Sequence, residues 1–166
     1  MNRLQTAIDR IQFSRQYTLR LIDGLEPADW FRMPAEGITH VAWQVGHLAM
    51  AEHRLALDRI RGEKPDDARM ISPAFLNLFG KGSVPDADSG KYPAPAEILG
   101  VCEQVHAQVL AELPGLPESE WNAAPLKPHP LFQTKIDSLF WCAHHEMLHA
   151  GPIGLLRRML GYQPKW

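Results

Sequence analysis

Apolar residues recur at helical spacing in four stretches of the chain. Leu4, Ile8, Ile11, Thr18, Ile22 and Leu25 form the first stripe, and Gly24 with Pro27 mark its end. Arg15 interrupts this stripe, so the pattern predicts a helix that is only partly buried. The second stretch has Thr39 as predicted N-cap, Gly62 as stop, and Val41, Val45, Leu48 and Leu55 as its core face. The third starts near Pro95 and runs to about Leu113, with Ile98, Val101, Val105, Val109 and Leu113 on one side. The fourth runs from about Ile136 to Leu160, with Gly161 as its stop. No stretch alternates apolar and polar residues as a half-buried strand does. The pattern therefore predicts an all-α, four-helix bundle, one domain over residues 1–166.

Between the second and third stretches lies a long crossover, residues 62–95, rich in Gly, Pro, Asp and Ser. A connection of this length is usually functional or disordered. Its segment "ISPAFLNLFG" is apolar enough for one or two docked helical turns. The favoured reading is a loop that folds over something; the alternative is a plain crossover between distant ends of the bundle.

The fourth stretch carries "HHEMLHAG", residues 144–151. At about 100° per residue, His145 and His149 project from one helix face on successive turns, the spacing that lets two imidazoles grip one metal ion. His144 points about 100° away and is read as a surface or supporting residue. Trp141, His145, Leu148, Pro152, Leu155 and Met159 form the predicted inward stripe, with His149 beside it. Two imidazoles buried together need polar partners, which a shared ion supplies. The alternative is two core histidines bonded to backbone or water.

A third ligand is needed, and His40, His47, His53, His106, His129, the acids and the cysteines are the candidates. His47 is best placed, at the edge of the second apolar stripe, with Gly46 allowing a neighbour to approach closely. His53 faces about 240° round that helix, and His40 lies about 10 Å back along it. Cys102 and His106 form a weaker i, i+4 candidate on the third helix. Trp43 precedes His47 by four and Trp141 precedes His145 by four, which suggests an indole-walled pocket. "HEMLH" also fits the HExxH pattern of zinc peptidases, with Glu146 as the general base. The residues after it supply no third histidine of the metzincin kind, and no strand is predicted to bind an extended peptide.

Charge narrows the partners. The 17 basic and 19 acidic side chains of this 166-residue chain leave a net charge of −2, with no basic excess for nucleic acid. No apolar run approaches a membrane span, and the N-terminus lacks the pattern of a signal peptide. Two isolated cysteines, Cys102 and Cys142, fit free thiols in a reducing compartment. The expected location is the cytoplasm.

The residues "GITHVAWQVGHLAMAEHR", "YPAPAEILGVCEQVHAQVLAEL" and "HHEMLHAGPIGLLRRMLG" resemble the DinB-like (YfiT-like) superfamily of four-helix-bundle proteins over nearly the whole chain. The resemblance implies a metal triad of His47, His145 and His149, in agreement with the spacing. Members commonly have Gln where this chain has Pro152, which removes a hydrogen bond to the Leu148 carbonyl and predicts a kink beyond His149. Relatives of this kind include thiol-dependent transferases and a thiol-dependent isomerase. The implied function is a divalent-metal enzyme acting on small molecules, with thiol-dependent S-transfer at the three-histidine site and Zn, Ni or Fe as the ion. Co and Cu also suit three imidazoles. Here Glu146 would orient a ligand histidine, accept a proton, or simply be solvated. The alternative, from another class, is a bundle that binds a metal or small ligand without chemistry. A homodimer is the default assembly, with Phe13, Tyr17, Trp30 and Trp166 as contact candidates.

Overall fold

A computed structural model describes residues 2–165; the expected contact at Trp166 lies outside them. Four long helices build an all-α bundle, and no strand forms among the described residues beyond a single bridge between His129 and Phe132. Helix α1 spans Arg3–Ile22, with the Asn2 side chain accepting from the Leu4 and Gln5 amides at its start. Helix α2 spans Val41–Glu52, passes through a π-helical stretch, His53–Asp58, and closes with a last turn, Arg59–Arg61. Two short helices follow in the crossover, α3 (Asp67–Met70) and α4 (Pro73–Leu78). Then come α5 (Pro95–Glu112) and α6 (Lys135–Met159). Helix α1 packs along α6, and α2 packs against both α5 and α6.

The α2 and α5 stripes face inward much as their spacing predicts: Val41, Val45, Leu48, Leu55, Ile98, Val105, Val109 and Leu113 are buried, while Val101 is half-buried against them. The N-cap of α2 is His40 rather than Thr39. Its imidazole nitrogen accepts from the Trp43 amide at 3.0 Å, as a capping side chain must. The crossover does contain the docked turns, anchored by buried Ile71, Phe75 and Phe79. Helix α6 runs on through Pro152 to Met159.

Two expectations are overturned, and they share a cause. Arg15 does not leave α1 partly buried; it is only 3% exposed. Its guanidinium donates to Glu146 at 2.9 Å and to Glu52 at 2.8 Å, and it also bonds the carbonyl and the sulfur of Cys102. His106 joins through Glu52 at 2.8 Å. The core therefore holds a polar network linking α1, α2, α5 and α6. Cys102 and His106 belong to it and are not a metal pair. Because Glu146 must face Arg15, the inward side of α6 is Leu139, Cys142, Ala143, Glu146, Ala150, Ile153 and Leu156. The predicted stripe is rotated away: Leu148, Leu155 and Met159 are exposed by 61%, 47% and 43%.

Removing one partner of a buried ion pair leaves an uncompensated charge in a low-dielectric interior. Arg15→Met should therefore lower unfolding stability by about 3–5 kcal/mol. Adding Glu52→Gln and Glu146→Gln to it should recover a large part of that loss, since no buried charge is then unpaired. Urea unfolding of the variants side by side checks both outcomes.

Candidate metal centre

His47 projects from α2, and His145 and His149 project from successive turns of α6. One ring nitrogen from each lies within 4.8 Å of the others. The ring centroids are 5.3 Å (His47–His145), 4.9 Å (His47–His149) and 4.7 Å (His145–His149) apart. Among the described residues this is the one group of three such side chains close enough to hold an ion. His47 is buried; His145 and His149 are half-buried, at the edge of the core rather than in it.

Two of the three rings are held from behind. The His47 Nδ1 lies 2.8 Å from the Phe79 carbonyl, which fixes the tautomer with a proton on Nδ1 and leaves Nε2 free as a lone-pair donor. The loop residue Phe79 comes this close because position 46 is glycine. A Cβ there would sit 2.5 Å from the Phe79 ring. The His149 Nδ1 meets the Gln44 side-chain oxygen at 2.5 Å. Trp43 stacks on His47 at 4.7 Å and 15°, and its indole N–H donates to Ser83 in the crossover at 2.9 Å. Trp141 does not stack on His145 in the same way. It lines the cleft in front of the cluster, near His129.

Burial disfavours the charged form of each imidazole. It pulls His149 down to about 3 and His145 to about 4, with the neighbouring histidines adding to the effect. His47 is lowered too, chiefly by burial. At neutral pH all three rings are uncharged, as metal ligation requires. Three neutral nitrogens, two with fixed outer partners, could hold a metal ion.

The remaining candidates fall elsewhere. His144 is exposed. His53 is buried in the π stretch, 3.6 Å from Asp67. His40 is buried against Phe31 and Tyr92. His129 stacks on Phe132 at 4.2 Å and lines the cleft without joining the cluster. Glu146, in its buried pair with Arg15, neither orients a ligand histidine nor faces the cleft as a peptidase base would have to. Gln44 was not anticipated, although its place one turn before His47 is a signal for a supporting residue. The Phe79 carbonyl has no sequence signal at all, since it depends on how the crossover folds.

The two thiols are free and buried. Burial pushes Cys102 up to about 12, against the lowering effect of Arg15, and raises Cys142 well above its ordinary value. No helix among the described residues is long and apolar enough to cross a membrane. A sequence model described as the DinB superfamily matches residues 10–153, well over half of the chain. No curated protein matches.

The depressed histidines set a pH dependence for the metal-free protein. Unfolded, these rings titrate near about 6.5; folded, they stay neutral to about 4 and about 3. Between those values the unfolded chain binds more protons, so stability falls as the pH drops below about 6.5 and continues to fall toward about 4. His145→Gln with His149→Gln should flatten that slope, read by thermal unfolding across pH 4–7.5. A second expectation concerns the glycine. Gly46→Ala should push Phe79 off α2, release His47 from its carbonyl and weaken metal affinity by about 10- to 100-fold, checked by competition with a metal-sensitive dye.

Proposed function

The chain belongs to the DinB superfamily, and on that premise we propose that it is a metal-dependent enzyme for small molecules, carrying out thiol-dependent S-transfer at His47, His145 and His149. The observation that carries the proposal is the cluster itself: three neutral imidazoles converging from two helices. When bound, a divalent ion supplies open coordination positions at which a thiol gives up its proton at neutral pH. The protein's part is positioning. Phe79 and Gln44 hold the rings of His47 and His149 from behind. A cleft of about 440 Å³ opens on His47 and His145, a size suited to a small substrate. Met50, Leu55, Leu131 and Trp141 give it an apolar wall.

The second reading, a bundle that binds its ion without chemistry, is separated by metal removal. A structural site loses much of its folding stability with the ion, whereas a catalytic site loses activity and stays folded. The peptidase reading has lost its base to the Arg15 pair. The cytoplasm remains the proposed location. A homodimer also remains a proposal, supported now by the exposed stripe Leu148, Leu155 and Met159 and by exposed Phe13 rather than by Trp30, which is buried.

Untagged wild-type protein should hold about one transition-metal ion per chain by elemental analysis, and His145→Ala should hold little. The loaded wild type should then transfer a low-molecular-weight thiol to at least one activated electrophile in a broad panel. Wild type that stays empty after incubation with Zn, Ni and Fe would sink the metal assignment. A loaded protein inert across the panel would sink the transferase assignment alone.

A further inference from the structure

The cleft in front of the histidine cluster has a one-sided charge. Arg54, Arg59 and Lys81 line it, and no carboxylate does. The whole chain carries a net charge of −2, so a purely cationic lining departs from the surface average. Neither Arg54 nor Lys81 has an ion-pair partner among the described residues. Arg59 makes one long bond, to the Arg54 carbonyl at 3.5 Å, and its Nε is buried without a partner. Beyond the effect of burial, Arg54 lowers His47 in the cluster, and Arg59 and Lys81 lower His129 in the cleft wall.

The backbone explains how two arginines come to share this wall. Arg54 follows His47 by seven residues, two α-helical turns, so it sits on the same face about 10 Å further along. Arg59 follows His47 by twelve, and in an unbroken α-helix it would point about 120° away. The π stretch His53–Asp58 intervenes, and the Arg59 amide bonds back to the Arg54 carbonyl, five residues earlier. That extra residue takes up about 100° of rotation and brings Arg59 round above Arg54. A π turn within a helix is uncommon and is often found at functional sites.

On the far side of the same two arginines lies a second cleft, of about 460 Å³. Its charges satisfy one another: Lys127 bonds Asp58 at 2.8 Å and Glu63 at 2.5 Å, and Asp67 is held by Arg61 at 2.8 Å. It offers no comparable excess of charge.

We infer that the cleft recognises its substrate through an oxyanion, a carboxylate or a phosphate, held by Arg54, about 10 Å along α2 from His47, and by Arg59 beyond it, with Lys81 at the rim. The planar guanidinium matches either anion with paired hydrogen bonds, which a lysine at the same position would not. The inference deepens the proposed function, on which it rests for the identity of the reacting end. It gives that substrate two ends: a thiol or electrophile at the cluster and an anion two turns away.

The test uses the full chain loaded with Co²⁺, whose near-ultraviolet absorption reports thiolate binding. 6-Mercaptohexanoate, a thiol long enough to place its carboxylate near the arginines, should bind at least about tenfold more tightly than neutral 6-mercaptohexanol. Arg54→Gln with Arg59→Gln should erase that preference while leaving cobalt stoichiometry and 6-mercaptohexanol affinity unchanged. Succinate and inorganic phosphate, which carry no thiol, are titrated in parallel by following the arginine side-chain NMR signals. Saturable shifts at Arg54 and Arg59 with either probe support the inference, and the tighter of the two names the anion. Lys81→Gln, at an exposed position that leaves the fold alone, should weaken the same probe several-fold. If both thiols leave the cobalt spectrum untouched while the oxyanions still bind these arginines, the transferase reading fails and this inference stands. Wild type that shows no saturable shift at Arg54 and Arg59 with either oxyanion overturns it.

Discussion

Everything in this bundle is arranged around one buried guanidinium. Arg15 enters the core from α1 and meets Glu52 from α2, Glu146 from α6 and Cys102 from α5. Burying one cation and two carboxylates is costly unless each is paired and further bonded. His106 completes the set by taking the second oxygen of Glu52. The cost makes the arrangement exacting: a slide or twist of α2 against α6 strands a charge. Those are the two helices that carry the histidine cluster. Glu146 adjoins His145 in sequence, and Glu52 lies five residues beyond His47. The ion network thus fixes the register that the cluster needs, from a place that the cleft does not reach.

A second constraint comes from outside the four helices. The crossover lays Phe79 on the bare backbone of Gly46 and presents its carbonyl to His47. Ser83, four residues on, accepts from the indole of Trp43, which stacks on the same imidazole. The crossover is part of the centre's outer support. The inward pull of Arg15 on Glu146 sets the rotation of α6, and the crossover sets the orientation of the α2 ligand.

The fold and the three histidines were legible because both rest on periodicity. The i, i+4 pair on α6 and the core stripes of α2 and α5 follow from helical geometry alone. The rotation of α6 was not legible. Leu148, Leu155 and Met159 form as good an apolar stripe as the true inward face, and the deciding contact is a glutamate paired with an arginine 131 residues away. Arg15 was misread for the same reason: a charge in an apolar stripe reads as an interruption until its partners are known. The π turn leaves no mark in composition, so Arg59 could not be placed beside Arg54 from spacing. Supporting contacts made by backbone atoms, such as the Phe79 carbonyl, have no residue signature to find.

The burial of Cys102 and Cys142 has a consequence for chemical selectivity. Under the proposed S-transfer, an accessible protein thiolate would compete both for the ion and for the electrophile. Here both cysteine thiols are buried in the core, and burial raises each well above its ordinary value. Neither cysteine lines the cleft, so a thiol that reaches the histidine cluster has to arrive from solution.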